Sequence, residues 1–278
     1  MKNKKHIDVL QSLKYFFSLK DWIERTLSIG AIHITLIVLY LFSFFLSLIP
    51  IIGPFLCCFA YLFIVVIAIL YAVYILGYKY ALIEAIKSKN NIENVKFFNN
   101  IDKNFKKGFK LILGNLFYAV PLVLIYIFTY SLMLLPYIIL GIQSESSDFN
   151  TSFASSILLV TSLVSYIPLI IAWIYQLFLN YFIHPSLLYL FSQNGKIRDM
   201  FNISKCWEFI KANLLNLLVY FAISTAISMC TGFAILLSML LCLLCIGIFL
   251  LPVVMILTVS YSLHVQAHMI GQLIKLNE

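Results

Sequence analysis

The most constraining feature of this sequence is a set of four long stretches that contain no Asp, Glu, Lys or Arg. They cover residues 26–78, 111–144, 149–195 and 212–274. A helix needs about 20 predominantly apolar residues to cross the hydrocarbon core of a bilayer. Each stretch is therefore long enough for one transmembrane helix, and the first and last are long enough for two helices with a turn between them.

The composition points to the same class of protein. Hydrophobic residues make up 63% of the chain and charged residues 11%, whereas a soluble domain is about 45–50% apolar and about 25% charged. Too few polar residues are present to cover a water-soluble globule, and a disordered chain is far less apolar. The sequence therefore predicts an all-α, polytopic integral membrane helical bundle that forms a single membrane domain over residues 1–278. No cleaved signal peptide is expected, because polar residues interrupt the segment that follows the first lysines.

The positions of the basic residues predict the number and direction of the spans. All 19 lysines and arginines lie in segments 1–25, 79–110 and 196–211 or at Lys275, whereas segment 144–152 carries only acidic charge. Basic segments stay on the cytoplasmic side of a membrane, so an even number of helices must separate them. Two helices in the 149–195 stretch would break this rule. The predicted boundaries are helices 1 and 2 in 26–78, helix 3 in 111–143, an external loop in 144–152, helix 4 in 153–195, and helices 5 and 6 in 212–274.

This arrangement predicts six membrane-spanning helices in the cell membrane, with both termini in the cytoplasm. Proline marks the first turn, at Pro50. In the last hairpin either Thr231-Gly232 or the segment from Gly247 to Pro252 could hold the turn; the second is preferred, because the first would leave one helix far longer than a span. A re-entrant segment is the alternative there. The candidate helix-breaking positions are Pro50, Pro121, Pro168 and Pro252.

The three cytoplasmic segments are amphipathic. In each, apolar and aromatic residues recur at spacings of three and four, as on one face of a helix. A basic helix with an apolar face beside a transmembrane span is typical of a helix lying in the membrane interface, where anionic lipid contributes about 1 kcal/mol per lysine. The alternative is that these helices cap the bundle without contacting particular lipids. The basic residues expected to face lipid head groups are Lys14, Lys96, Lys103, Lys106, Lys107, Arg198 and Lys205.

Short motifs recur at corresponding places along the chain. Lys110 and Lys211 are each followed five residues later by Asn-Leu, and a Tyr-x-x-His motif ends at His184 and again at His264. We interpret these as three pseudo-repeats, each an interfacial helix followed by a pair of spans. Internal repeats are common in transporters, which bind their solutes between the repeats, but duplication also produces them in structural proteins.

Three stretches of the N-terminal half carry a resemblance to a known family. They are LKYFFSLKDW at 13–22, LIPIIGP at 48–54 and KGFK at 107–110. In these the chain resembles a prokaryotic membrane family, domain of unknown function 4013, over about half to two thirds of its length. Segment 92–104 departs from the family pattern because it lacks Pro and Trp. The resemblance implies a polytopic membrane protein, assigns no activity and carries over no functional residues.

Few residues within the spans are suited to chemistry. His184, His264 and His268 are the candidates for a metal site: His264 and His268 lie one helical turn apart, and Glu84 is expected at a similar depth. The alternative is that these histidines hydrogen-bond carbonyls or lipid head groups. Four cysteines near the outer helix ends are suited either to a disulfide or to small apolar packing: Cys57, Cys58, Cys242 and Cys245.

These patterns contain no catalytic constellation or cofactor motif and do not favour nucleic acid as a partner. The leading hypothesis is a non-enzymatic membrane-organising or accessory protein, which contacts anionic lipid head groups or another membrane protein at its cytoplasmic face. The second is a transporter for an apolar or lipid-like solute, and the third is an intramembrane enzyme using the histidines or cysteines. A polar cavity flanked by Pro121 and Pro168 would favour transport, and a dry core would favour the first hypothesis.

Overall fold

The computed structural model describes residues 6–49, 53–88, 95–143, 151–242 and 246–278, and over these ranges the chain is all-α. The elements in chain order are α1 Val9–Ser18, α2 Trp22–Ser47, α3 Gly53–Ser88, α4 Ile101–Gln143, α5 Thr151–Phe178, a π-helical turn Leu179–Ile183, α6 His184–Asn194, α7 Ile197–Met200, α8 Ile203–Ala212, α9 Leu214–Leu241 and α10 Ile246–Lys275. The π-helical turn joins α5 and α6 without a break.

Six helical segments among the described residues are long and apolar enough to cross a membrane, which agrees with the predicted number of spans. They are α2, α3, α4, the α5–α6 unit, α9 and α10. The chain is therefore a multi-pass membrane protein. Several spans exceed the bilayer: α4 has 43 residues, about 64 Å at 1.5 Å per residue, against a hydrocarbon core of about 30 Å.

The buried core lies at one end of the bundle, which we call the basic end. It contains α1, α8, the start of α4 and the chain's C-terminus, and its largest apolar cluster combines the second halves of α3 and α10 with α6 and α8. The opposite halves of the long helices expose most of their apolar side chains, as at Phe249, which is 80% exposed. Lipid covers such side chains without the penalty that water would impose. The helices are thus held together mainly at the basic end.

Two glycines bring α3 and α4 into backbone contact. A Cβ added at Gly77 would overlap the carbonyl oxygen of Asn104, and one added at Gly108 would overlap the carbonyl oxygen of Val73. Small residues allow such close crossings in membrane bundles, where van der Waals packing drives helix association. This crossing fixes the first turns of α4 against the last turns of α3.

The crossing also changes the interpretation of the predicted cytoplasmic segment 79–110. Helix α3 continues to Ser88 and α4 already begins at Ile101. The prediction of a separate interfacial helix in this segment is therefore wrong over residues 101–110, since they form the first turns of a membrane helix packed on α3. By contrast, segments 1–25 and 196–211 do contain short separate helices, namely α1, α7 and α8.

The predicted turn in the last hairpin is also wrong. Gly247 and Pro252 lie inside α10, and the alternative pair Thr231-Gly232 lies inside α9. The chain divides instead after Leu241, which gives two helices of 28 and 30 residues, each long enough to span. Glycine and proline are both tolerated inside membrane helices, so neither marks the turn here.

Proline does not break the other helices as predicted. Pro121 lies inside α4 and Pro168 inside α5, and both helices continue past them. Together with Pro252, three of the four predicted helix-breaking positions are thus helical. Pro50 lies outside the described residues, as does 144–150, the greater part of the predicted external loop.

Candidate functional site

A buried arginine organises the basic end. Arg25 lies in the first turn of α2 and is 1% exposed. Its Nε donates to Oδ1 of Asp21 at 2.9 Å, and its Nη1 donates to the hydroxyl of Tyr78 at 3.2 Å. A buried charge is stable only when it is paired and hydrogen-bonded, so these contacts tie the start of α2 to α3.

The same hydroxyl continues the network to α10. The Tyr78 oxygen lies 3.3 Å from Nε2 of His264, whose Nδ1 lies 2.8 Å from the carbonyl oxygen of Ser260. A carbonyl only accepts, so we assign the ring proton to Nδ1, and Nε2 then accepts from the tyrosine hydroxyl. The resulting chain of donors and acceptors runs from Asp21 to Ser260 and joins α2, α3 and α10.

Helix α1 docks on the next turn of α10. Nδ1 of His268 lies 2.9 Å from the Ser12 hydroxyl, and the Tyr15 ring stacks on the His268 ring at a centroid distance of 4.3 Å. The backbone N–H of Asp8 donates to Gln272 Oε1 at 2.7 Å. Burial is the main cause of the raised pKa of the Tyr15 hydroxyl.

The candidate histidines therefore have structural partners. His264 and His268 serve the network and the α1 contact, and Nδ1 of His184 lies 3.2 Å from Oδ1 of Asn115. Glu84, the expected carboxylate ligand, pairs with Lys107. Over the described ranges, no group of three or more His, Cys, Asp or Glu side chains is placed to hold a metal ion.

The cysteines are thiols wherever the structure describes them. Cys57, Cys58 and Cys242 are free, while Cys245 lies outside the described residues. Cys206, on the inner face of α8, is also free and buried. Burial raises the pKa of its thiol, partly offset by the hydrogen-bonding hydroxyls of Ser186 and Tyr118, so it is protonated at neutral pH and acts as a packing residue.

The basic residues expected to face lipid divide into two groups. Lys107 is only partly exposed, pairs with Glu84 and lies 5.2 Å from the Tyr80 ring centroid, so it joins α3 to α4. Lys96 pairs with Glu24 and Lys106 with Asp102. Of the seven basic residues predicted to face lipid, Lys14, Lys103, Arg198 and Lys205 are exposed and form no ion pair with a described carboxylate.

Helix α8 covers an apolar groove at the edge of the bundle. The groove measures about 500 Å³ and lies between α8, α4 and α5, with Pro121, Tyr175, Ile203 and Trp207 among its walls. Nζ of Lys211 lies 5.5 Å from the Trp207 ring centroid. The arrangement combines an apolar cleft with a basic rim, which is suited to an amphiphile.

Sequence reasoning missed the burial of Lys79. It interpreted this residue as the start of a cytoplasmic segment, but Lys79 lies well inside α3 and is 8% exposed. Its Nζ donates to Gln266 Oε1 at 2.9 Å. The available signal was the apolar spacing of Leu82, Ile83 and Ile86, which continues the helical pattern of α3 beyond Lys79.

Comparison with protein families supports this membrane assignment. A family model described as a protein of unknown function, DUF4013, matches residues 60–239, and this confirms the resemblance seen in the sequence. The KGFK stretch at 107–110 lies inside the match, whereas the stretches at 13–22 and 48–54 precede it. No curated protein and no solved structure matches the chain.

Proposed function

Because the chain belongs to the DUF4013 family of proteins of unknown function, we propose a function from its own geometry. The protein is a non-enzymatic membrane-organising or accessory protein of the cell membrane. Its basic end faces the cytoplasm, and it binds anionic lipid there through α1 and α8. The observation that carries this proposal is the outer face of α8.

That face combines apolar and basic side chains in the pattern of an interfacial helix. Ile203 and Trp207 are 60% and 48% exposed, and they lie one turn apart. Lys211 is exposed one turn beyond Trp207, with its Nζ 5.5 Å from the Trp207 ring centroid, and Lys205 is exposed at the opposite edge of the outer face. Tryptophan and lysine with an apolar stem both favour the boundary between acyl chains and head groups. Since α8 already packs its inner face on the bundle, the outer face is available to lipid.

Helix α1 repeats this arrangement. Leu10 and Phe17 are exposed, and Lys14 lies between them on the same helical face. Like α8, α1 is short, amphipathic and docked on the bundle through its other side. Two such helices at one end of the molecule give a surface that recognises negative charge at the depth of lipid phosphates.

We further infer that α1 and α8 hold equivalent places in pseudo-repeats. Each helix has ten residues and follows a capping residue, Asp8 or Asn202, whose side chain accepts the N–H three residues later. Each buries the residues four, seven and eight positions after its cap: Ser12, Tyr15 and Phe16 in α1, and Cys206, Phe209 and Ile210 in α8.

The character of the interior supports a scaffold over a transporter of polar solutes. The main core cluster at the basic end is built from aliphatic and aromatic side chains, and the groove beside Pro121 is apolar. A pathway for a polar solute needs side chains that replace water around it.

The fluorescence of Trp207 tests the proposal. A variant that keeps only this tryptophan (Trp22→Phe, Trp173→Phe) is placed in nanodiscs with brominated phosphatidylglycerol or brominated phosphatidylcholine. We expect stronger quenching by the anionic lipid, because Lys205 and Lys211 recruit it. Lys205→Glu with Lys211→Glu should abolish the difference, whereas Arg at both positions should retain it.

Trp173 provides the matched control. It is exposed on α5, an apolar helix that contains no charged residue, so a variant that keeps Trp173 alone should be quenched equally by both lipids. Equal quenching of Trp207 by the two lipids in the parent variant would refute the lipid preference of α8.

A further inference from the structure

Lys79 is a buried cation for which the described part of the chain supplies no carboxylate. Its one hydrogen-bond partner there is the neutral amide oxygen of Gln266. Charged residues within membrane bundles are paired or mark the place where a charged ligand binds. The amide holds the ammonium group in place but leaves its charge uncompensated. An anion at this position would therefore be strongly favoured.

A groove leads away from Lys79 between α3, α9 and α10. It measures about 460 Å³ and is lined along its length by Ile75, Gly232, Ile235 and Val259. A side chain at Gly232 would meet open space, so the groove is unfilled beside this residue. An open, mainly apolar channel of this form suits an alkyl chain.

Hydroxyl residues also line the groove, but two of them are already satisfied. Ser228 and Thr258 donate to carbonyls of their own helices. Their methylene and methyl groups are then left to line the wall. Thr231 makes no hydrogen bond with the described residues, so it remains available to an ester or phosphate oxygen.

The position of Lys79 along its helix matches the depth of lipid phosphates. Lys79 lies 26 residues after Gly53, the first described residue of α3, about 39 Å at 1.5 Å per residue. The hydrocarbon core is about 30 Å thick, so an α3 that enters the core at Gly53 brings the ammonium group to the head-group level of the basic end, while the groove runs back along α3 past Ile75.

We propose that this groove binds one anionic phospholipid, with its phosphate at Lys79 and one acyl chain between α3, α9 and α10. Basic pockets between transmembrane helices are known to hold anionic head groups in this way. The site is separate from the surface of α8 and goes beyond the proposed function. It rests on that proposal only for the leaflet from which the lipid comes.

Native mass spectrometry of the purified full chain tests the proposal. The protein is titrated in detergent with phosphatidylglycerol, phosphatidylcholine or inorganic phosphate. We expect one tightly bound phosphatidylglycerol and no comparable adduct with the other two. Lys79→Gln keeps a hydrogen-bonding side chain but removes the charge, so binding should weaken about tenfold.

Gly232→Leu fills the groove while leaving Lys79 intact, and it should also remove the bound lipid. Gly141→Leu is its matched control, because Gly141 likewise faces open space but lies on α4. This variant should bind lipid as the parent protein does. Retention of normal melting temperature in all three variants excludes misfolding as the cause.

Three results would overturn the inference. They are equal binding of phosphatidylglycerol by Lys79→Gln and the parent protein, equal binding of the two lipids, and a phosphate adduct that Gly232→Leu does not affect. The last result would indicate a site for soluble anions. The double variant Lys205→Glu, Lys211→Glu separates the two proposals, since it should lose the lipid preference of α8 but keep the lipid at Lys79.

Discussion

Arg25 illustrates how a single buried residue contributes to the free energy of unfolding of this bundle. It is the last charge before the first apolar stretch, yet its side chain turns into the core and is held by Asp21 and Tyr78. Removing one member of a buried pair leaves the other charge without compensation, which costs about 3–5 kcal/mol. The neutral members of the network each contribute less, about 1 kcal/mol.

We therefore predict that Arg25→Gln lowers the free energy of unfolding by about 3 kcal/mol. Thermal unfolding in detergent, followed by size-exclusion chromatography of the remaining folded protein, measures the effect. Arg198→Gln is the control, because Arg198 is exposed and has no carboxylate partner among the described residues. A melting temperature for Arg25→Gln equal to that of the control would contradict the role assigned to Arg25.

For single residues, the sequence predicted where the charges lie along the chain but not which charged side chains pack against other helices. The basic segments were identified, but position along the chain could not show that Arg25, Lys79 and Lys107 point inward. Their burial depends on partners distant in sequence, such as Gln266 for Lys79. Most of the basic residues predicted to face lipid are exposed in the structure, because no other helix packs over their side chains.

At the scale of the element, the contact between α3 and α4 depends on two glycines. Each faces a backbone carbonyl of the other helix, and a backbone cannot move aside as the end of a side chain can. Overpacking in a tight interface costs about 1–3 kcal/mol, and here the two sites share one interface.

We predict that Gly77→Ala or Gly108→Ala destabilises the protein by about 3 kcal/mol and reduces the yield of folded protein. Gly232→Ala is the matched control, because its added methyl group meets open space and alanine favours helix more than glycine does. Melting temperatures of the three variants measure the difference. Similar melting temperatures for all three variants would contradict the close backbone contact between α3 and α4.

Charge distribution predicted the number of spans because every charge must leave the hydrocarbon or be paired. The turn of the last hairpin was not predictable in the same way. Gly247 and Pro252 carry a strong turn signal in water, but α10 continues through them because a membrane gives the backbone no alternative hydrogen-bond partner.

For the whole molecule, the proposed orientation has a direct test. Alkaline phosphatase folds only outside the cytoplasm, so a fusion at Ser147, which lies in the predicted external loop outside the described residues, should be active. A fusion at Asn100, at the basic end between α3 and α4, should be inactive. Enzyme activity normalised to expression measures both, and the reverse pattern would refute the orientation.

The unequal lengths of the spans affect how the protein fits the thickness of the bilayer. The uncharged part of α2, residues 26–47, extends about 33 Å, whereas that of α4, residues 111–143, extends about 50 Å. A bilayer that contacts a short apolar helix and a long one in the same protein must thin or thicken locally, or the helices must tilt. Each ångström of mismatch between helix and bilayer costs a fraction of a kcal/mol. We therefore predict that the protein deforms the bilayer around it and gathers at the borders between thick and thin lipid domains, where the membrane already changes thickness.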